Sequence, residues 1–281
     1  MARCLARELG RTPRRRQLVS EGSTTVTYEH LLVQKVAGGV GVVTLNRPAR
    51  LNALSYALVS ELDEVVTAFE EDDDVRAVVI TGTGEKAFSA GADIHEMVGL
   101  SEDEMAERAR RRSVFTWHLA TLKKPTIGAI NGLAYGGAAV LSSSLDIRIG
   151  CERSSFRFLA ASYGRINSTW SLPIVVGWAR AKELLYTARV VTADEALQMG
   201  LLNKIVPSDQ LLDAAVEMGR QIAGNTPEMV QGIKRMLLDD VGRGWLEMYE
   251  AEKDALSTTL KPSPVAEGFK DFLSRKAARE A

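Results

Sequence analysis

The stretch Lys123–Gly150, KKPTIGAINGLAYGGAAVLSSSLDIRIG, is the part of the chain from which the fold is best predicted. The apolar run Thr126–Ile130 predicts a short buried strand, and Asn131-Gly132 predicts a tight turn, because this pair tolerates positive φ. Gly136-Gly137 follows, then a helix of small residues and a second strand. The stretch therefore predicts one strand–turn–helix–strand unit of an α/β fold.

The Gly136-Gly137 pair stands immediately before the small apolar residues 138–141. Backbone N–H groups at a helix N-terminus have no partner within the helix, and they carry a partial positive charge. Such a terminus suits an anion or a developing oxyanion. Glycines before a helix also serve as turn or packing devices, so the pair alone leaves both roles open.

A second stretch, Gly84–Met97 (GEKAFSAGADIHEM), follows the β-branched run Ala77–Thr81. FSAGADIHEM together with KPTIGAINGLAYGG resembles the crotonase superfamily, also called the enoyl-CoA hydratase/isomerase family, and the pair is far more specific than either motif. The resemblance extends over Leu31–Phe272. It implies an α/β fold in which a crotonase-like spiral of ββα turns precedes a C-terminal helical trimerisation region. A homotrimer or homohexamer is the assembly that it implies.

The resemblance also implies a site in which two backbone N–H groups bind a thioester carbonyl oxygen and stabilise the enolate formed from it. By motif position these oxyanion-hole donors are Ala90 and Gly137. Fixed donors aimed at developing charge in a dry site contribute roughly 3 kcal/mol each to transition-state stabilisation. An acyl-CoA is therefore the expected ligand, with the coenzyme A thioester as substrate and no separate cofactor or metal.

Coenzyme A contacts follow from the same resemblance. The backbone of residues 92–94 is expected at the adenine, and the loop of residues 50–54 along the pantetheine. Arg50 is either a phosphate ligand, through a charge-assisted hydrogen bond, or a solvated side chain. The implied substrate-binding residues are Arg50, Leu51, Ala53, Ala90, Gly91, Ala92, Asp93, Ile94 and Gly137.

The acid–base residues of ordinary hydration are missing at the matching positions. Hydration of an enoyl thioester needs one group to activate water and another to protonate the α-carbon. The first hydratase glutamate corresponds to Val140 and the second to Ala160, and no gap is needed between them. Neither side chain transfers a proton, so ordinary hydration is not expected.

The following loop, Arg165–Trp170, is about three residues shorter than the glycine-rich loop that shapes the acyl pocket in hydratases, which implies an unusual acyl group or none. Tyr163, Asn167 and Ser168 are candidate catalytic residues because they are the polar groups of this segment. The alternative is that Tyr163 packs and that Asn167 or Ser168 caps the following helix. Arg165 either holds a substrate carboxylate or is solvated.

Composition places the chain among globular proteins of one or two domains. The 281 residues are 46% hydrophobic and 25% charged, with a net charge of −1, so neither nucleic acid nor an anionic membrane is expected as a partner. The two cysteines, Cys4 and Cys151, lie far apart and indicate reduced thiols in a cytoplasmic protein rather than a disulfide framework. Among the histidines, His118 has no partner motif.

Residues 1–25 are predicted to form an Arg-rich N-terminal extension, either solvated or self-associating. The segment lacks the apolar core of a secretory signal, whereas organellar targeting is not excluded. Its arginines between Met1 and Glu21 are Arg3, Arg7, Arg11, Arg14, Arg15 and Arg16.

The remaining chain is predicted as a spiral core over residues 26–205 and a helical region over residues 206–281. Core strands are expected at 31–35, 40–45 and 75–81, and core helices at 102–124 and from an N-cap at Ser55 through Glu71. Later helices are predicted at Ala179–Thr187, Ala193–Met199, Gln210–Gly224, Pro227–Asp240, Trp245–Lys261 and Pro264–Arg275.

Two functions compete at this stage. The first is a crotonase-like enzyme of lyase or isomerase type that processes an acyl-CoA through its oxyanion hole. The second is a non-catalytic acyl-CoA-binding or scaffold protein, which the double loss at Val140 and Ala160 favours. Formation of product after an acyl-CoA binds would distinguish the two.

Overall fold

The computed structural model describes residues 16–20, 23–269 and 275. The chain folds as two compact units, Met1–Asn225 and Thr226–Ala281. The division predicted from the sequence, with boundaries after residues 25 and 205, stays a prediction.

The first unit contains a mixed sheet of eight strands. The strands β1 to β4 pair antiparallel in sequence order, and from β4 onward every neighbouring pair is parallel. Numbered along the chain and given in spatial order, they are β1 (Arg16–Ser20), β2 (Ser23–Thr27), β3 (Leu31–Val36), β4 (Val40–Leu45), β5 (Ala77–Gly82), β7 (Thr126–Ile130), β9 (Ile147–Gly150) and β12 (Lys204–Ile205).

A second, four-stranded sheet contains only short strands. In spatial order they are β11 (Val191–Thr192), β10 (Ser155–Arg157), β8 (Leu133–Tyr135) and β6 (Ala87–Ser89). Consecutive strands alternate between the sheets: β5, β7 and β9 belong to the large sheet, whereas β6, β8 and β10, which follow them in the chain, belong to the small one. The chain therefore winds between two sheets, which is the spiral that the resemblance implies.

Ten α-helices lie in the described residues. Seven belong to the first unit: α1 (Tyr56–Glu71), α2 (Glu102–Thr121), α3 (Gly137–Ser143), α4 (Leu172–Val176), α5 (Trp178–Thr187), α6 (Ala193–Gln198) and α7 (Leu211–Ala223). Three belong to the second: α8 (Pro227–Asp239), α9 (Trp245–Ser257) and α10 (Val265–Gly268). None of the helices described is long and apolar enough to cross a membrane.

Strand β5 is buried at all six residues because the large sheet is covered on both faces. Val78 and Ile80 belong to one apolar cluster, which includes Leu58 and Leu62 of α1. Val79 belongs to the other, which includes residues of α7. The uninterrupted apolar run in the sequence is explained by this double coverage.

Part of the predicted N-terminal extension is sheet. Residues 1–15 and 21–22 lie outside the described residues, whereas β1 and β2 pair with each other and β2 pairs with β3. The predicted end of the extension, residue 25, therefore lies inside β2.

Positive φ does not explain the turn predicted at Asn131-Gly132, because neither residue has it. A β-carbon on Gly132 would lie 2.4 Å from the Lys86 carbonyl oxygen, so glycine is required by close approach of backbone. The Asn131 side chain accepts from the Gly82 N–H at 3.1 Å and donates to the Gly84 carbonyl at 2.7 Å. The pair joins β7 and β8 to the loop between β5 and β6.

The buried side chain of Arg148 binds the carboxyl end of helix α3. Arg148 donates from Nε to the Leu201 carbonyl at 2.6 Å and from Nη1 to the carbonyls of Ser142 and Leu145. Burial lowers the pKa of Arg148 to about 10, so the side chain still carries its charge at neutral pH. A cation at the carboxyl end of α3 complements the helix dipole and fixes the helix that begins at Gly137.

Candidate active site

The loop that follows β4 forms one wall of the candidate site. Leu51 and Asn52 both have positive φ, at 49° and 53°. The buried Asn52 amide fixes this turn, since its Oδ1 accepts from the Arg47 N–H at 3.0 Å while its Nδ2 donates to the carbonyls of Thr83 and Ala87 at 2.9 Å. Because asparagine tolerates left-handed backbone, one residue supplies both the turn and the anchor.

The loop after β6 runs beside it and against the start of α3. The Leu54 N–H donates to the Gly91 carbonyl at 2.7 Å, and the Asp93 N–H to the Leu54 carbonyl at 3.3 Å. Gly91 has φ +90°, and a β-carbon there would lie 2.4 Å from the Tyr135 carbonyl oxygen and 2.8 Å from the Gly137 nitrogen. Glycine is thus required at residue 91 both by its backbone conformation and by space.

Two backbone N–H groups lie close together at this junction. The N–H of Ala92 and that of Gly137 have no hydrogen-bond acceptor among the described residues. The Ala92 nitrogen lies 3.3 Å from the position that a β-carbon on Gly137 would occupy. Ala92 and Gly137 are both partly exposed, so a ligand atom can reach them.

The donor predicted at Ala90 is already engaged. Its N–H donates to the Leu51 carbonyl at 2.9 Å. This contact corrects the prediction that the Ala90 N–H is available to a thioester oxygen, since one N–H satisfies one strong acceptor. The motif identified the right loop, but the unoccupied donor lies two residues further along.

Asp93 is a structural carboxylate. Its Oδ2 accepts from Arg47 Nη1 at 2.9 Å, and its Oδ1 accepts from the His95 N–H at 3.2 Å, which caps the 3₁₀ turn Ile94–Glu96. Burial disfavours the charged form, but the Arg47 hydrogen bond and charge outweigh it and lower the pKa of Asp93. A carboxylate held by an arginine and an N-cap bond is a poor general base.

The other predicted coenzyme A residues surround this junction. Ala53 is buried, Ala90 partly exposed, and Arg50, Leu51 and Ile94 are exposed. The loops that carry them are joined by the Leu54–Gly91 hydrogen bond, so all lie on one side of the fold. Their contacts to a ligand stay predictions.

The two positions predicted to replace the hydratase glutamates have side chains that do not titrate. Val140 is partly exposed on α3, and Ala160 is buried before the 3₁₀ turn Ala161–Tyr163. Tyr163 is 70% exposed, which indicates a surface position rather than a packed one. The catalytic role of Tyr163 stays a prediction.

Asn167 and Ser168 differ from Tyr163. Asn167 Oδ1 and Ser168 Oγ are buried with no hydrogen-bond partner among the described residues, and Ser168 has φ 56°. A buried polar atom without a partner costs about 1–3 kcal/mol, so these two atoms indicate a place for water or a ligand atom. Their proposed catalytic role stays a prediction.

A cavity of about 770 Å³ opens next to the junction, between α1 and α2. Leu54 and Asp93 line it, as do apolar side chains such as Met97, Leu100 and Phe115. Polar residues of α2 and Arg165 complete its wall. Tyr163, Asn167 and Ser168 do not line it, whereas Arg165 does. Nowhere in residues 16–20, 23–269 and 275 do three His, Cys, Asp or Glu side chains form a metal-binding group.

The fold and these two loops together match a known family. The sequence profile described as "Enoyl-CoA hydratase/isomerase" matches residues 35–279. The chain belongs to the enoyl-CoA hydratase/isomerase family. The α/β crotonase fold, with two mixed sheets and C-terminal helices, is thereby confirmed.

Relatives in this family share about a third of their residues with the chain. The short-chain-enoyl-CoA hydratase of Clostridium acetobutylicum is 36% identical over an alignment 250 residues long, and the match covers 83% of this chain and 95% of that protein. A probable mitochondrial enoyl-CoA hydratase of Dictyostelium discoideum is 36% identical over an alignment 243 residues long, and the match covers 85% of this chain and 86% of that protein. The enoyl-CoA hydratase structure from Bacillus anthracis superposes with a TM-score of 0.83 at 33% identity, covering 88% and 97% of the two chains. Relatives are thus both bacterial and mitochondrial, and a cytoplasmic location stays a prediction.

One ionic cluster on the cavity wall was missed by sequence reasoning. His118 Nδ1 lies 2.8 Å from Asp63 Oδ1, and its Nε2 lies 3.7 Å from Glu70 Oε2. The bonds to Asp63 and Glu70 raise the pKa of His118 to about 9, and the bond to His118 lowers the pKa of Glu70 to about 2. Asp63 and Glu70 are seven residues apart, so they share a face of α1, and this spacing is the signal that the sequence contained.

We expect His118→Gln to flatten the dependence of stability on pH. The folded pKa of His118 lies above its unfolded value of about 6.5, so its contribution is complete below that pH and disappears as the pH rises towards 9. The variant should lose about 1–2 kcal/mol at pH 6 and almost nothing above pH 9. Urea unfolding from pH 6 to pH 10 measures this, with exposed His95→Gln as the matched control. A constant difference between His118→Gln and wild type across that range would contradict the ionic role.

Proposed function

We propose that this protein binds an acyl-CoA thioester and stabilises negative charge on the carbonyl oxygen through the N–H groups of Ala92 and Gly137. The observation that carries the proposal is a pair of adjacent backbone donors, at the junction of the two sequence motifs, for which the described part of the chain supplies no acceptor. Preorganised donors cost no reorganisation when charge develops, so they suit an enolate or a tetrahedral oxyanion. Relatives named enoyl-CoA hydratase support the thioester as ligand.

The reaction proposed for this site is not ordinary hydration. Val140 and Ala160 occupy the proposed glutamate positions, and neither transfers a proton. Two carboxylates that follow Ala92 in the chain are engaged elsewhere, since Asp93 binds Arg47 and Glu96 Oε2 accepts from the Tyr56 N–H at 2.8 Å. Isomerisation, hydrolysis, decarboxylation or C–C cleavage uses the same oxyanion hole with other acid–base groups.

A non-catalytic acyl-CoA-binding protein is the second candidate. The absence of a proton-transfer side chain at residues 140 and 160, beside intact donors, is the observation that favours it. Assembly as a homotrimer or homohexamer is proposed for both candidates by analogy with the family.

A paired measurement with crotonyl-CoA tests the proposal. We expect calorimetry on the full chain to show binding, and the ultraviolet absorbance of the conjugated thioester to stay constant over hours. Val140→Glu/Ala160→Glu should then gain measurable hydration, because it supplies the missing acid and base. Hydration by the wild-type protein at ordinary enzyme rates would refute the assignment of Val140 and Ala160, and absence of binding would refute the thioester site.

A further inference from the structure

The cavity beside the thioester site contains five carboxylates, and each already has a partner. Asp63 and Glu70 contact His118, and Asp93 contacts Arg47. Glu96 accepts from the Tyr56 N–H, and Glu107 accepts from two arginines of its own helix. Each carboxylate of the cavity wall is thus already engaged by another group of the protein.

The arginines that line the cavity are only partly engaged. Arg110 and Arg111 bind Glu107 at 2.8 and 2.6 Å. Arg108 donates to the Glu96 carbonyl at 3.1 Å and lies over the Tyr56 ring at 5.4 Å. Of the cavity arginines, this leaves two whose guanidinium groups have no hydrogen-bond or ion-pair partner within the described residues: Arg112 and Arg165.

Both cations line the same cavity, where their like charges repel each other. Burial, Arg165 and Arg108 all lower the pKa of Arg112, and Glu96 only partly offsets them. A half-buried guanidinium beside a second one, without a counter-ion, is an unfavourable arrangement that an anion between them would relieve. Arginine forks match carboxylates in geometry, so a carboxylate is the anion that fits.

The cavity connects this pair to the proposed thioester position. Leu54 and Asp93 line the cavity, and Asp93 directly follows the donor residue Ala92. A β-carbon on Gly137 would contact Leu54 Cδ1 at 3.6 Å, so Leu54 also borders the second donor. An acyl chain that starts at the two donors can enter this cavity, whose wall includes apolar side chains and the two arginines.

We propose that Arg112 and Arg165 bind a carboxylate at the far end of the acyl chain, so that the substrate class is the coenzyme A monothioester of a dicarboxylic acid. This inference rests on the proposed function. A phosphate of coenzyme A is the alternative anion for these two arginines, and the experiment separates the two ligands.

The test compares glutaryl-CoA with pentanoyl-CoA, which have acyl chains of equal length and differ in the terminal carboxylate. Calorimetry on the full chain should show glutaryl-CoA binding at least about tenfold more tightly, as expected for a charge-assisted hydrogen bond. Arg165→Gln and Arg112→Gln should each reduce that preference to about threefold or less while pentanoyl-CoA affinity stays unchanged. Arg110→Gln is the matched control, since Arg110 lines the same cavity but already binds Glu107, and it should keep the preference.

Each alternative has its own result. Equal affinity of the wild-type protein for both thioesters would overturn the inference and leave the proposed function standing. Equal weakening of both thioesters by Arg165→Gln would assign the arginines to a coenzyme A phosphate and would also overturn it. If Arg165→Gln changes neither affinity but lowers the mass measured by light scattering, the pair contacts protein instead. Absence of binding for both thioesters would refute the proposed function together with the inference. Because Arg165 is exposed, its variant is expected to fold even if Arg112→Gln does not.

Discussion

Gly137→Pro is expected to abolish polarisation of the bound thioester and to reduce any turnover by about 10²–10³-fold, the cost of removing one oxyanion donor. Proline lacks the N–H, and its ring would fill the space that the carbonyl oxygen enters. Gly137 is the first residue of α3, a position at which proline is well tolerated, so the fold should survive. Infrared difference spectra of a ¹³C-carbonyl acyl-CoA measure the effect, because the wild-type protein should lower the carbonyl stretching frequency and the variant should not.

Gly137→Ala is the matched control, since it keeps the N–H. Its β-carbon would lie 3.3 Å from the Ala92 nitrogen and 3.6 Å from Leu54 Cδ1, contacts that small shifts accommodate. We expect this variant to retain the carbonyl shift and to bind within a few-fold of wild type. If proline leaves the carbonyl frequency unchanged from that of the wild-type complex, the Gly137 N–H is not a donor to the thioester.

Gly91→Ala is expected to destabilise the protein by about 3 kcal/mol or more, or to displace the Ala92 loop and end acyl-CoA binding. The substitution combines a left-handed backbone, which costs a residue with a β-carbon about 1–2 kcal/mol, with a severe clash. The new β-carbon would lie 2.4 Å from the Tyr135 carbonyl oxygen, and backbone on both sides prevents easy relief. Urea unfolding and calorimetry with an acyl-CoA measure the two outcomes.

Gly99→Ala is the control for Gly91→Ala, because it places a β-carbon on a left-handed backbone without a steric clash. Gly99 has φ +83°, close to the +90° of Gly91, but a β-carbon there would meet nothing within 4 Å. The control should therefore lose only about 1–2 kcal/mol and retain ligand binding. Equal losses for the two variants would show that the close approach of Gly91 to α3 contributes nothing.

The long elements followed the sequence closely. Strands at 40–45 and 126–130 lie where the apolar runs predict them, and α1 begins after the Ser55 cap, whose side chain accepts from the Leu58 N–H. Local signals sufficed here because each element buries its own periodic face. The helix predicted to Lys124 ends at Thr121, and the one predicted to Lys261 ends at Ser257, since boundaries depend on neighbouring chain. The end of the last predicted helix, beyond residue 269, lies largely outside the described residues.

Several of the shortest elements did not follow from the sequence. The four strands of the small sheet have two or three residues each, too few for a periodic pattern, and they exist because the spiral sets them side by side. Helix α4, of five residues, was missed for the same reason. The pairing of β1 with β2 was not predicted, because arginine-rich sequence up to Arg16 favours a solvated or self-associating extension.

The sequence by itself determined the family, and it predicted the two loops of the candidate site and the replacement of proton-transfer residues by Val140 and Ala160. Those conclusions rest on residue identity and spacing. Only the tertiary structure decided which donors are available, because the Ala90 N–H is occupied by the carbonyl of Leu51, a residue 39 positions earlier in the chain. It likewise brought Arg112 together with Arg165 across one cavity. Hydrogen-bond occupancy and unbalanced charge are properties of groups that are distant in sequence and adjacent in space, and no local pattern encodes them.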